Sequence, residues 1–250
     1  DCFSPESTVF LTFTSHECHP AMLEHLPTEQ GLSAEQDLLG SVCKGEQAWG
    51  LLFWCPTDRT LVMPRRMSRL DGFEQASLAS AASGWPVLLR ETGGEPVPQS
   101  PSTINVALVY VAPQQEGDQH RIETAYRRLC QPLLDALERL GGSASLGEIE
   151  GAFCDGRFNV NLDGRKWVGT AQRWRQGLSG TRPVVLVHGA MLMEDERESM
   201  AAAVNLFNQQ CGLEQRVKAS SHVALHERHP APDLIDELQV AYTQMLTALA

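Results

Sequence analysis

The dipeptide Asp163-Gly164 lies between two strand-like runs, Phe158–Leu162 and Lys166–Gln172, and constrains this chain more than any other stretch. Asp-Gly accommodates two successive residues at positive φ. That is the backbone of the tight turn whose twist matches a pair of antiparallel strands. A second constraint comes from Ile104–Val111, a near-continuous apolar run of strand length that reads as a strand buried on both faces. The sheet must therefore be at least partly antiparallel and covered on both sides. Further strands are expected at Gly50–Trp54 and Thr60–Met63, on either side of the turn Pro56-Thr57-Asp58, and at Val87–Arg90 and Pro183–His188. Residues 1–31 read as irregular, with one strand at Thr8–Thr14.

Helical spacing supplies the covering layers. Ser33 is a candidate N-cap for a helix through Val42, with Gln36 three residues on and Leu38, Leu39 and Val42 on one face. Phe73–Ala82, Glu194–Gln209 and Leu234–Leu249 are also expected to be helical. The clearest helix is Ile122–Leu140, where Ala125, Leu129, Leu133, Leu137 and Leu140 recur at helical spacing and Pro132 introduces a kink. Strands and helices do not alternate as regular βαβ units. The expected class is α+β, a mixed and largely antiparallel central sheet flanked by helices.

The chain has 250 residues, 42% hydrophobic and 20% charged, which suits one globular domain over residues 1–250. It contains no apolar run of about 18 residues and does not open on a basic segment followed by an apolar core, so neither a membrane span nor a signal peptide is expected. The net charge of −11 argues against nonspecific nucleic-acid binding. Seven cysteines without a CxxC pair point to a reducing, cytoplasmic setting rather than a disulfide framework. The cluster His16-Glu17-Cys18-His19 has no second pair of ligands elsewhere, so no metal site is expected. Seventeen arginines stand against three lysines, Lys44, Lys166 and Lys218. A rare lysine inside the Gly-rich segment after Asp163 therefore stands out.

Three segments, in order, resemble the biotin/lipoate protein-ligase superfamily. Arg90-Glu91-Thr92-Gly93-Gly94-Glu95-Pro96-Val97 is similar to the Arg-x-(Ser/Thr)-Gly-Gly-x-x-Val loop of lipoate ligases and octanoyltransferases. Gly164-Arg165-Lys166-Trp167-Val168-Gly169-Thr170-Ala171-Gln172 resembles the family's Gly-(Arg/Lys)-Lys-x-x-Gly-(Ser/Thr)-Ala-Gln pattern, and Val187-His188-Gly189-Ala190-Met191-Leu192 its His-Gly-x-x-Leu strand. The resemblance covers about residues 30–215 and implies a class II biotin/lipoyl synthetase-like catalytic domain. It implies that Arg90, Gly93, Gly94, Val97, Gly156, Gly169, Thr170, Ala171, Gln172, His188 and Gly189 bind the acyl substrate. Lys166 would polarise the acyl carbonyl.

Cys154, in Phe153-Cys154-Asp155-Gly156 and twelve residues before Lys166, resembles the nucleophile of the branch that passes octanoyl or lipoyl between carrier proteins. Such a thiol, ordinarily ~8.5 in pKa, needs a nearby cation, and Lys166 is a candidate. On this reading Cys154 and Lys166 are catalytic and no cofactor is required. The partner is a lipoyl-carrier domain of the glycine-cleavage H-protein or 2-oxoacid dehydrogenase E2 type. Two alternatives remain open. One is a ligase using ATP and Mg²⁺ through a lipoyl-adenylate, and the other is a lipoyl-binding homologue without catalysis. Two departures bear on them: Gln99 stands where the family usually has His, and Glu95 places an acidic side chain in the Gly loop. Arg157, Arg173 and Arg175 are candidates to meet an acidic carrier surface.

Overall fold

The computed structural model describes residues 23–117, 120–178 and 182–250. The strand expected at Thr8–Thr14 and the cluster His16–His19 lie outside these residues. The elements run β1 (Glu24–Leu26), α1 (Thr28–Cys43), β2 (Trp49–Pro56), β3 (Thr60–Pro64), α2 (Phe73–Ala82), β4 (Val87–Arg90), β5 (Val97–Gln99), β6 (Thr103–Val111) and α3 (Arg121–Arg139). They continue with β7 (Ala144–Leu146), β8 (Val160–Leu162), β9 (Arg165–Gln176), β10 (Pro183–Leu192), α4 (Arg197–Gln210) and α5 (Leu234–Leu249). No helix among the described residues is long and apolar enough to cross a membrane.

Seven strands form one sheet in the order β1-β2-β6-β10-β9-β8-β7. Only β1 and β2 pair in parallel; the other neighbours are antiparallel. The class is thus α+β with a mixed, mostly antiparallel sheet. The long apolar run becomes β6, held on both edges by β2 and β10. Its alternate side chains divide between two cores. Ala107 and Val109 join Leu52, Trp54, Val184, Leu186 and the α1 residues Leu39 and Val42 on one face. Val106, Leu108 and Tyr110 join α3 and α5 on the other, where the Tyr242 hydroxyl donates to the Leu129 carbonyl at 2.5 Å.

The turn at Asp163-Gly164 has φ 51° and 74°, so β8 and β9 form the expected hairpin. Several expectations shift. Helix α1 begins five residues before Ser33, at Thr28. The Thr28 amide and hydroxyl both donate to Asp58 Oδ1, at 2.9 and 2.6 Å, so a distant carboxylate replaces the local cap. The two strands around Pro56-Thr57-Asp58 do not pair with each other. β2 lies in the large sheet, whereas β3 centres a second sheet, β4-β3-β5, parallel to β4 and antiparallel to β5. β10 runs on past His188 to Leu192 because Gly189 and Ala190 still pair with β9 and β6. The three-residue strands β5 and β7 were too short to carry a periodic signal.

Candidate active site

The small sheet, the N-terminal half of α1, the middle of β9 and the end of β10 enclose a cleft of about 730 Å³, counting its open mouth. Val62, Val97, Pro98, Leu192 and Met200 supply apolar wall, while Arg90, Cys154, Lys166 and His188 supply chemistry. Gly169, Thr170, Ala171 and Gly189 line the same cleft. Residues from three separate sequence motifs are therefore brought together.

Cys154 sits on the loop between β7 and β8, at φ 45°. A non-glycine residue at positive φ is uncommon and is tolerated where surrounding contacts fix it. Those contacts are visible. The Glu95 amide donates to Cys154 Sγ at 3.2 Å, and Arg90 Nη2 approaches the same sulfur at 3.9 Å. Gly94, at φ 103°, packs so closely that a Cβ there would stand 2.8 Å from Cys154 Sγ and 2.9 Å from Arg90 Nη2. The Arg90-to-Glu95 loop is thus folded directly over the thiol.

Arg90 is buried, and most of its donors hold this loop: Nη2 donates to the carbonyls of Gly93 and Glu95 at 2.9 Å each, and Nη1 to the Val62 carbonyl at 3.2 Å. Burial lowers its pKa, opposed by its attraction to Cys154 and Glu35. Arg90 thus reaches the sulfur itself, while Lys166 donates to the backbone beside it. Lys166 is 2% exposed. Its Nζ donates to the carbonyls of Phe153 at 2.5 Å and Cys154 at 2.8 Å. Burial lowers the Lys166 pKa, and the nearby Cys154, Asp155 and Glu95 push it back up. An ammonium has three donors, so one remains for a carbonyl oxygen in the cleft. A side chain at Gly169 would come within 3.2 Å of Lys166 Cε and Nζ, so this glycine makes room for the lysine.

His188 reaches the cleft from β10. Its Nδ1 meets Glu35 Oε2 at 2.7 Å and its Nε2 meets Thr92 Oγ1 at 3.2 Å, while Trp54 Nε1 donates to Glu35 Oε1 at 2.9 Å. This buried network links α1, β2, β10 and the Gly loop. Gln99 exchanges two 2.9 Å hydrogen bonds with Asn105 and accepts a third from Thr103 Oγ1 at 3.0 Å, so its amide is satisfied by the protein. The Glu95 carboxylate accepts from Gln215 Nε2 at 3.2 Å. Of the three candidate surface arginines, Arg173 pairs with Glu91 at 2.7 Å and Arg175 donates to Gln36 at 3.5 Å. Arg157 projects into solvent, 4.0 Å from Glu123.

Sequence reasoning missed Glu35, Thr92 and, above all, His222. The His222 ring stacks on Phe153 at 4.1 Å, accepts the Phe153 N–H on Nε2 at 3.1 Å and bonds the Lys218 carbonyl through Nδ1 at 3.0 Å. The next amide, Val223, donates to the Lys166 carbonyl at 2.9 Å. Burial first, then Lys166, pulls the His222 pKa down to about 4. A neutral ring with Nδ1 protonated fits both hydrogen bonds. No pattern around Ser221-His222-Val223 announces this role; it follows only from the chain passing over the β7–β8 loop.

A second cleft, of about 540 Å³ counting its mouth, opens beside the first. It shares Cys154, Thr170 and Ala171 with the inner one and adds Gly93, Gly94, Tyr126, Asp155, Gly156, Arg157, Phe158, Asn159 and Gln172. Among the described residues no group of three or more His, Cys, Asp or Glu is placed to hold a metal ion.

Comparison with known proteins agrees with this architecture. Residues 27–238 match the family model described as the lipoyl protein ligase A/B catalytic domain. An uncharacterized protein of Cupriavidus necator is 34% identical over 206 residues, covering 78% of this chain and 79% of that protein. An octanoyl-[GcvH]:protein N-octanoyltransferase of Kyrpidia tusciae is 34% identical over 147 residues, which is 57% of this chain and 50% of the relative. The chain thus aligns with about half the length of that transferase. Among solved structures, lipoate-protein ligase A bound with ATP superposes with a TM-score of 0.69 at 17% identity, covering 91% of this chain and 85% of that one. A bi-partite lipoate protein ligase from Thermoplasma acidophilum gives 0.58 at 18% identity, covering 91% and 83%. At these identities the likeness is one of fold.

Proposed function

The chain belongs to the lipoyl protein ligase A/B catalytic-domain family, and from that premise we propose that it transfers an octanoyl or lipoyl group onto a lysine of a lipoyl-carrier domain through a thioester on Cys154. The observation that carries this reading is the setting of the thiol. One backbone N–H and one buried guanidinium converge on Cys154 Sγ at the edge of an apolar cleft. A thiol held at that edge is positioned to act as a nucleophile toward a carbonyl in the cleft.

The steps follow from that placement. The apolar inner cleft takes the straight acyl chain, with the carbonyl beside Cys154. The thiolate attacks the carbonyl carbon and a C–S bond forms. The bond to the donor's nitrogen breaks, and that nitrogen leaves as the amine with the proton that the Cys154 thiol gives up. The remaining Lys166 donor stabilises the oxyanion that develops on the carbonyl oxygen. In the second half the acceptor amine displaces sulfur, the new C–N bond forms, and the amine's proton returns to Cys154. Splitting the transfer through a thioester requires no nucleotide. The carrier has the chemistry that the relatives' names indicate, an H-protein or an E2 lipoyl domain.

The test is direct. Incubated with an octanoyl-charged carrier domain without ATP, the protein should gain one octanoyl mass, removable by hydroxylamine and lost in Cys154→Ser. Acylation of apo-carrier that requires ATP and survives Cys154→Ser would overturn the thioester route in favour of an adenylate-forming ligase. Retained acyl binding without turnover in either assay would instead indicate a non-catalytic homologue.

A further inference from the structure

We propose that the outer cleft is the acceptor subsite: it receives the aminoalkyl arm of the carrier lysine, so that acyl chain and amine reach Cys154 from separate clefts. The inference rests on the acyltransferase reading above and assigns a role to a part of the molecule that the reading leaves unused. Cys154, Thr170 and Ala171 are common to both clefts, whereas Lys166 and His188 line only the inner one and Tyr126, Asp155 and Gly156 only the outer. A thioester on Cys154 therefore has one cleft for its chain and another from which its carbonyl can be approached.

Two glycines of the outer cleft supply an independent argument. Neither Gly93 nor Gly156 has a positive φ, and a Cβ built on either meets nothing within 4 Å. Backbone geometry and packing would both accept a side chain at these positions. Replacing glycine by alanine where the conformation allows it stabilises a fold by about 0.4–1 kcal/mol. Glycine at both places leaves open the space of the cleft that Cys154 lines. Gly94 and Gly169 differ, since a side chain there would strike Cys154 or Lys166.

The walls offer an aminoalkyl arm an aromatic surface and a carboxylate, with the exposed Arg157 guanidinium also on the lining. Phe158 lies against Tyr126 with ring centroids 4.6 Å apart, and its carbonyl is held by Thr170 Oγ1 at 2.9 Å, giving a rigid aromatic surface for a methylene stem. Asp155 adds a carboxylate. Its Oδ1 is fixed by the amides of Ile149 and Gly156, each at 3.0 Å, and by Asn159 Nδ2. One turn before Tyr126, the carbonyl of the exposed Ile122 accepts from the Nε2 of Gln172, a residue of the cleft, at 3.0 Å. In the transfer, the unprotonated amine attacks the thioester carbon, C–N forms as C–S breaks, and the released proton ends on Cys154 Sγ.

The experiment separates the two half-reactions in wild type, Gly156→Ala, Gly156→Leu and Gly93→Leu. Cys154 is first charged with the octanoyl thioester of a small thiol and followed by intact mass. Apo-carrier domain is then added and the loss of adduct timed, with thermal melts confirming that each variant folds. The ratio of discharge rate to charging rate is expected to fall at least tenfold in both leucine variants and less in Gly156→Ala. A ratio unchanged in both leucine variants overturns the proposal. So does an ATP·Mg²⁺ affinity that collapses in Gly156→Leu while discharge persists, which would assign the cleft to a nucleotide. If wild type forms no adduct on Cys154, the acyltransferase reading itself fails, and the acceptor subsite with it.

Discussion

Gly94→Ala tests whether the Gly loop is folded against the thiol as tightly as the structure has it. Two costs add. The backbone at φ 103° would have to hold a residue with a Cβ, a strain of about 1–3 kcal/mol. For a chain of this size that lowers Tm by roughly 2–12 °C. The new methyl would also stand 2.8 Å from Cys154 Sγ, where ordinary contact begins near 3.4 Å, so sulfur or loop must yield by about 0.6 Å. Displacements of up to 1 Å at a reacting atom cost up to about 100-fold in rate, so acyl transfer should fall by roughly 10- to 100-fold. The assays are a thermal melt, the rate of iodoacetamide alkylation of Cys154, and single-turnover transfer. Gly93→Ala is the control for the melt, because its methyl meets nothing within 4 Å. A Gly94→Ala protein that melts within 1 °C of wild type and transfers at the wild-type rate would refute the packing argument.

Three further outcomes follow from the same geometry. The His222 pKa is depressed to about 4 from the ordinary 6.5, so between these values the unfolded chain binds the extra proton. Stability should therefore decline as pH falls from 6.5 to 4, by about 3 kcal/mol in all; urea titrations across this window should show the slope, and His222→Gln should flatten it. Lys166→Met removes the donor to two carbonyls, hydrogen bonds worth about 1.5–3 kcal/mol each when the donor is charged, partly offset because no ammonium is buried. A net loss of about 1–4 kcal/mol in denaturant, with at least a 100-fold loss of transfer, is expected. Finally, a double-mutant cycle on Glu35→Gln and His188→Gln should give a coupling energy of about 1–3 kcal/mol; strict additivity would mean that the 2.7 Å contact contributes nothing.

How much of this was legible in the sequence depended on how local each signal is. The Asp163-Gly164 turn, the doubly buried β6 and the periodicity of α3 follow from neighbours along the chain, and all three were found. The start of α1 was misplaced because its cap is Asp58, thirty residues away. The strands β2 and β3 read as neighbours because only three residues separate them, yet pairing across sheets is a tertiary choice. The structure distributes the motif residues over two adjoining clefts that share Cys154, Thr170 and Ala171, a division that did not follow from spacing. Lys166, twelve positions from Cys154, was the natural cation for its sulfur; spacing gave no hint that Arg90, sixty-four positions away, also comes within 3.9 Å of it. His222 and Glu35 were invisible for the same reason. Each acts through a contact that exists only once distant elements pack.

The seven-stranded sheet described here ends on two three-residue strands, β1 and β7. An unpaired strand edge is a template on which another chain can add itself, and short edges blunt that tendency. For a protein proposed to meet carrier domains repeatedly, this matters beyond its own solubility. A long free ladder would capture partners by indiscriminate backbone pairing and release them slowly. At those two ends, among the described residues, the sheet offers little edge, and recognition there is left to side chains, as around the mouth of a cleft, where contacts can be selective and brief.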